Sequence, residues 1–328
     1  MNIAIDSWNK SLYRKLCDSE PTIPVFSRDW WLDACVGESG WDVAIVGSEN
    51  TMVAAMPYTI SQKMGLQILG QPKFSQTLGP WLTSLEGKYP KILSTQKEVM
   101  FTLIEQLPDF DYFLQNWHYS ISNWLPFFWK GFNQTTRYTY LINLDNNYDA
   151  MAHFTSNMRN KVRKSQEIVE ILEDLDVESF YEINKMTFKR QNLHIPYSLE
   201  ELKKLDYVLD KQGKRKIFYA VDELQNIHSA LYLVWDDISS YVHLVGENPK
   251  FRNSGAGILL IYKAIQRSMN MGLSLFDFEG SMIENVEVVR RSCGGIQTPY
   301  FNITKMSKRA KMLATGRDFF KASWELFK

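Results

Sequence analysis

Two spacings of apolar residues alternate along this chain, and each change of spacing marks an element. WDVAIVG (41–47) and TMVAAMPYTI (51–60) are rich in β-formers, and Ser48, Glu49 and Asn50 between them predict a hairpin. LQIL (66–69) is a further short strand. Thr95–Leu107 takes a helical period, DYFLQNW (111–117) is a strand, a short aromatic helix is expected around Trp124, and TRYTYLINL (136–144) is another strand. The second half repeats the order. KIFYAVD (216–222) and IHSALYLVW (227–235) form a hairpin, and SSYVHLVG (239–246) is a third strand. AGILLIYKAIQRSMNMG (256–272) places Ile258, Ile261, Ile265 and Met269 on one helical face. LSLFDFEG (273–280) is a strand, Glu284–Ser292 a helix and QTPYFNIT (297–304) a strand.

Each half therefore reads strand, strand, strand, helix, strand, helix, strand, without a residue-level repeat. Tyr148–Glu170, Val177–Arg190 and Leu199–Leu209 are expected helices that lead into the second half, and Lys305–Phe327 is expected to close the chain as a helix. No Pro/Gly-rich linker interrupts the chain. The order of elements puts a boundary near Asn146, giving units 1–146 and 147–328, two domains in a chain of 328 residues. The Trp124–Trp129 aromatics are expected as core between the units.

Composition narrows the function. Thirty-seven basic and thirty-seven acidic residues cancel, whereas a nucleic-acid-binding protein usually carries a basic surplus. DNA is not expected as a partner. Cys17, Cys35 and Cys293 are spaced like neither a disulfide framework nor a zinc site, so no metal is expected and a reducing, cytoplasmic setting is. No apolar run approaches the ~18 residues of a membrane span.

The chemistry-bearing stretch is HLVGENPKFRNSGAGILLIYKAI (243–265), a strand, a short loop and a helix joined by Arg252-x-x-Gly255-x-Gly257. Glycines let the backbone approach a ligand closely. The first amides of a helix lack intrahelical partners and, with the helix dipole, suit a pyrophosphate. Val245, Arg252, Asn253, Ser254, Gly255, Ala256 and Gly257 are the expected cofactor contacts. Glycines at such a turn also occur for packing alone.

This loop follows the third strand of a β-β-β-α-β-α-β unit, where the GNAT acetyltransferases hold acyl-CoA. FDFEGSMIENVEVVRRSCGGIQTPYFNI (276–303) resembles the C-terminal signature of the FemAB-like transferases and their BioF-like relatives: a strand of form [FY]-D-F-x-G, a basic helix, a glycine turn and a strand. NMRNKVR (157–163) resembles the family's Arg-bearing helix, and QTLGPW (76–81) a glycine loop of the first unit. The chain departs from the pattern at Val286–Val289, where relatives often carry Lys or aromatic residues. The resemblance spans most of the chain and is specific over 240–303. It implies an α/β (α+β) protein of two tandem GNAT-like units, each a mixed sheet flanked by helices, and acyl or aminoacyl transfer to an amine. Pro80 after Gly79 removes a donor from the first unit's loop. One donor site is therefore expected, in the second unit, with the first unit helping to form the acceptor cleft.

Acyl transfer needs a polarised carbonyl and an amine that loses a proton. A strand amide within Leu244–Gly246 is the expected polarising donor. Glu279, Glu247 and His243 are candidate bases; the bland alternatives are a solvated loop carboxylate for Glu247 and a sheet-face histidine for His243. Arg159, Arg163, Arg290 and Arg291 are candidates for an anionic acceptor, or else a solvated helix face. Cys293 lacks a His partner and reads as a bystander. The leading expectation is an N-acyltransferase using acyl-CoA (acetyl-CoA) on a small-molecule, sugar or peptide amine. A FemAB-type transferase using aminoacyl-tRNA on a cell-wall peptide precursor, and a non-catalytic binding protein, are the alternatives.

Overall fold

The computed structural model describes residues 8–49, 51–145, 147–280 and 282–314. The elements run α1 (Trp8–Ser19), α2 (Asp29–Val36), β1 (Trp41–Ser48), β2 (Thr51–Lys63), β3 (Leu66–Gly70), β4 (Trp81–Leu82), α3 (Tyr89–Glu105), β5 (Tyr112–Asn116), α4 (Leu125–Trp129) and β6 (Asn133–Asn143). They continue α5 (Ala150–His153), α6 (Ser156–Gln166), β7 (Glu170–Glu173), α7 (Val177–Arg190), α8 (Leu199–Lys211), β8 (Arg215–Val221), β9 (Ile227–Trp235) and β10 (Ser239–Glu247). α9 (Ala256–Asn270), β11 (Leu275–Asp277), α10 (Glu284–Ser292), β12 (Ile296–Met306) and α11 (Lys308–Ala314) complete the order.

Contacts divide the chain into one unit of Met1–Arg137 with Pro299–Lys328 and another of Tyr138–Thr298. In the first, the strand order is β1-β2-β3-β5-β12, with β4 on β2. In the second it is β7-β8-β9-β10-β11-β6. Each unit mixes strand directions: β3 runs parallel to β5 and β10 parallel to β11, while β1–β2, β2–β3, β2–β4, β5–β12, β6–β11, β7–β8, β8–β9 and β9–β10 are antiparallel. The last strand of each half of the sequence is exchanged. Leu141 of β6 pairs with Asp277 of β11, and Asn302 of β12 pairs with Asn116 of β5. Element order alone, which groups a strand with its chain neighbours, does not carry this exchange. Asn146 itself lies outside the described residues.

Three sequence readings are corrected. Tyr148–Glu170 is not one helix: Asp149 caps the four-residue α5, the chain straightens at Phe154 and Thr155, α6 follows, and Glu170 opens β7. A four-residue strand is too short to show a period. The Trp124–Trp129 cluster is only partly core: Phe127 is buried, but Phe128 and Trp129 are each 55% exposed. The start of the expected closing helix, Lys305 and Met306, belongs to β12; α11 covers Lys308–Ala314, and the remainder lies outside the described residues. The pattern of apolar residues predicts none of α1, α2, β4 and β7.

In the second unit α9 carries the core. Ile258, Leu259, Ile261 and Ile265 recur at helical spacing and pack with Leu231, Leu233, Val242 and Phe276. Each fully buried Ile or Leu contributes roughly 1.5–3 kcal/mol, enough to fix where the helix begins. On the other elements local signals agree: Asp176 caps α7, and Ser198 with Glu201 forms a capping box on α8. The first unit has its own core, with Phe113, Trp117, Phe127 and Phe132 in edge-to-face contacts.

Candidate functional site

β10 and β11 pair only at Ser239–Tyr241 with Leu275–Asp277. Beyond that point β10 stays with β9 through Glu247, while Phe278 donates its amide to Tyr140 of β6 at 3.0 Å. The two strands therefore part. A β-bulge sits at the fork: Val242 faces Leu233 and Leu244 faces Tyr232, which leaves His243 as the extra residue. Bulges re-aim side chains and are common beside active sites.

His243 Nδ1 lies 2.8 Å from Glu279 Oε1 across this fork. The His243 side chain is 2% exposed and that of Glu279 13%, so Glu279 is the member of the pair that a substrate can reach. Burial pushes the Glu279 carboxyl above its usual range, against the opposing pull of His243 and Arg290.

The FDFEG motif now has a physical account. Phe276 and Phe278 point into the core and meet edge-to-face at 5.1 Å. Asp277 is fully buried; Thr139 Oγ1 donates to its carboxylate, and so does the Glu279 amide, at 2.8 Å. Glu279 is held at φ +55°, a left-handed conformation that costs a non-glycine residue roughly 1–2 kcal/mol. Gly280 follows at φ +51°, where a Cβ would stand 2.2 Å from the Tyr138 carbonyl. Asp277 thus clamps the backbone turn that presents Glu279. Burial raises the Asp277 carboxyl to about 7.

The phosphate-type loop is present as strand, turn and helix. Asn248 caps the 3-10 turn Pro249–Ser254, and Gly255 takes φ +78° before α9. Some of its donors are already used: Ser254 Oγ accepts the Ala256 amide at 3.3 Å, and the Ile258 and Leu259 amides turn back to the Gly255 carbonyl. Gly255 has a structural reason, its left-handed φ and the Lys161 carbonyl 3.1 Å from where a Cβ would be. Gly257 has neither. Its nearest neighbour to such a Cβ is Ser229 Oγ at an ordinary 3.6 Å, and its amide is among the first of the helix, which have no carbonyl one turn back.

The remaining candidates fall in different places. Glu247 Oε2 lies 3.4 Å from Arg190 and 3.5 Å from Arg252, so this carboxylate and the exposed Arg252 are tied together. Asn253 lies within the 3-10 turn. Arg159 is turned onto the Phe154 carbonyl and Ser156, and Arg163 is exposed on α6. Arg291 is exposed and pairs with Glu287 on its own helix. Only Arg290 of the four arginines is coupled electrostatically to Glu279 and Asp277; its guanidinium stands 5.5 Å over the Phe278 ring, and its buried Nε meets no hydrogen-bond acceptor among the described residues. Burial lowers its pKa and pushes the Cys293 thiol up to about 12, which leaves that thiol unreactive.

Residues not singled out in the sequence complete the fork. Asn184 and Thr187 on α7 reach β10: Asn184 Nδ2 donates to the Val245 carbonyl at 2.8 Å, and the Glu247 amide donates to Thr187 Oγ1 at 2.8 Å. Tyr197 donates to Asn184 Oδ1 at 2.5 Å and fixes that amide's orientation. The signal was a polar residue, Asn184, at core spacing from Phe180 on α7. The first unit's corresponding fork, between β3 and β5, is bridged instead by buried glutamines. Gln115 donates to the Gly70 and Pro57 carbonyls, and Gln71 accepts from the Asn116 amide. Gly79 of that unit lies against Trp117, whose ring a Cβ would meet at 2.5 Å. Among the described residues no three His, Cys, Asp or Glu side chains converge as metal ligands, and no helix is long and apolar enough to cross a membrane.

Residues 152–285 match the family model described as acetyltransferase (GNAT) domain. No curated protein sequence matches the chain. Among solved structures it resembles FemX, with a TM-score of 0.63 at 10% identity over 93% of this chain and 97% of that one. It resembles L-PGS from Bacillus licheniformis at TM-score 0.55 and 10% identity, over 97% and 98% of the two chains. A tandem GNAT protein from the clavulanic acid biosynthesis pathway gives TM-score 0.52 and 8% identity over 92% and 97%. At these identities the likeness is one of fold. The chain is an α/β protein of two tandem GNAT-like units with a FemX-like fold.

Proposed function

We propose that this chain is an N-acyltransferase in which Glu279, held by His243, is the general base at the fork of β10 and β11. The observation that carries the reading is the 2.8 Å contact between His243 and Glu279 at a β-bulge where two strands separate. In the reaction the acceptor amine attacks the donor's acyl carbon and a C–N bond forms. The C–O or C–S bond to the leaving group breaks. Glu279 takes the amine's proton, and the departing alkoxide or thiolate receives one. The Val245 amide, on the edge of β10 turned from β9, is the candidate donor to the carbonyl oxygen; one such donor is worth about 10²–10³-fold in rate.

The donor carries phosphate. Its site is the turn from Arg252 through Asn253, Ser254, Gly255, Ala256 and Gly257, where Gly257 leaves room that neither backbone conformation nor packing requires. Arg290, coupled to Glu279, is the favoured contact for an anionic acceptor, ahead of Arg159, Arg163 and Arg291. Acyl-CoA and aminoacyl-tRNA both present an activated acyl group with phosphate, and the acceptor is a small-molecule, sugar or peptide amine. The α7 side chains already bonded to β10 favour the second donor, for which the FemAB-like resemblance implies a cell-wall peptide precursor as acceptor. Incubation of the purified chain with radiolabelled acetyl-CoA or charged tRNA and a panel of amines tests the reading. Label transfer to an amine by the wild type, lost in Glu279→Gln, supports it; transfer undiminished by that change refutes the assigned base.

A further inference from the structure

Just past β10 the Asn248 amide donates to the His228 carbonyl of β9 at 2.9 Å, so by alternation Gly246 and Leu244, opposite Ala230 and Tyr232, also turn their backbone groups to β9. Val245 and Glu247 therefore turn theirs to the opposite edge, the side on which β11 has departed. An open strand edge is a template for any extended chain carrying amides, which adds to it as another strand. The pantetheine arm of coenzyme A is such a chain, with two secondary amides. Here two of the edge groups are already satisfied, the Val245 carbonyl by Asn184 and the Glu247 amide by Thr187. The closure is built in rather than incidental. Tyr197, itself buried, locks the Asn184 amide so that its NH2 faces the strand. Ile183 and Asn184 press so closely on Gly246 that a Cβ there would stand 2.7 Å from both the Asn184 backbone nitrogen and the Ile183 side chain.

We infer that Asn184 and Thr187 are specificity-determining residues that close the β10 edge to pantetheine thioesters and select a donor that delivers its acyl group without laying an amide chain along β10. This deepens the proposed acyl transfer and rests on it. An acyl ester on a nucleotide fits that description, since its ester is joined to the phosphate-bearing part without amides. The Val245 amide stays on the same edge to meet the acyl carbonyl. Neither Asn184 nor Thr187 takes part in the proton transfer; they act on which donor enters.

Calorimetric titration of the full chain with coenzyme A and, separately, with adenosine 3′,5′-bisphosphate tests the inference. The second probe carries phosphates without the arm. The Asn184→Ala/Thr187→Val double variant is expected to bind coenzyme A at least tenfold more tightly than the wild type, while the bisphosphate binds both proteins alike. Equal affinity of wild type and variant for coenzyme A, whether both bind or neither does, overturns it. Tyr197→Phe, which keeps the ring and frees the Asn184 amide to turn, is expected to give a smaller gain in the same direction and serves if the double variant does not fold; no gain there counts against the closure too. Failure of the bisphosphate to bind any of the proteins instead removes the phosphate turn from the proposed function, and the coenzyme A comparison still reads on Asn184 and Thr187.

Discussion

His243 and Glu279 are separated by 36 residues in sequence, yet their side chains meet at 2.8 Å where β10 and β11 part. The pair sets a pH dependence. Burial raises the Glu279 carboxyl, and His243 opposes that rise. Glu279 must be ionised to accept a proton, so kcat/KM should rise with pH through a pKa above the usual glutamate range. His243→Asn removes the opposing partner. The acid limb should then move to higher pH, because the partner that favours the ionised carboxylate is gone. A pH–rate profile checks this; an acid limb that stays in place shows that the histidine does not act on Glu279.

Asp277 makes folding stability depend on pH. Its carboxyl lies at about 7 in the folded chain against an ordinary 3.8, because burial penalises the charge. Between those values the folded state holds a proton that the unfolded state has lost. Stability therefore falls as pH rises through this window, by up to about 1.4 kcal/mol per pH unit from this group, and the loss is complete above pH 7. Asp277→Asn keeps an acceptor for Thr139 and cannot ionise, so its stability curve should be flatter between pH 4 and 7. Denaturant midpoints measured across that range test the point. An unchanged slope would mean that Asp277 is ionised throughout.

Gly280→Ala should be severely destabilising. The residue sits at φ +51°, and the new methyl would lie 2.2 Å from the Tyr138 carbonyl and 2.9 Å from Thr139 Cα. A left-handed alanine costs about 1–2 kcal/mol, and overpacking adds about 1–3 kcal/mol. A lowered chemical-denaturation midpoint is the expected readout, with activity lost through displacement of Glu279.

Gly246→Ala tests how closely α7 sits on β10. Its methyl would stand 2.7 Å from the Asn184 backbone nitrogen, so α7 must shift. The expected cost is about 1–3 kcal/mol in folding stability. A neutral substitution would show that the helix has room to move.

What could be read from the sequence was local. α7, β9 and α10 take the bounds that their apolar periods mark, and the Arg252–Gly257 turn opens a helix as its glycines indicate. The FDFEG motif led to Glu279. Asp277 stood in the same motif, but its role depends on Thr139, a residue 138 positions away. The same holds for Asn184, whose partner Val245 is 61 residues on. The exchange of β6 and β12 is likewise a matter of pairing between distant segments, and a period-two pattern says only that a strand has a buried face, not which neighbour it finds. β7, at four residues, is too short to declare a period.

The most direct test compares kcat/KM of wild type and Glu279→Gln from neutral pH to beyond the pKa of the acceptor amine. If Glu279 is the base, the variant should be slower by about 10²–10⁴-fold near pH 7, and the gap should narrow as the amine loses its proton to solvent unaided. A gap of constant size across that range, or none at all, would contradict the assignment.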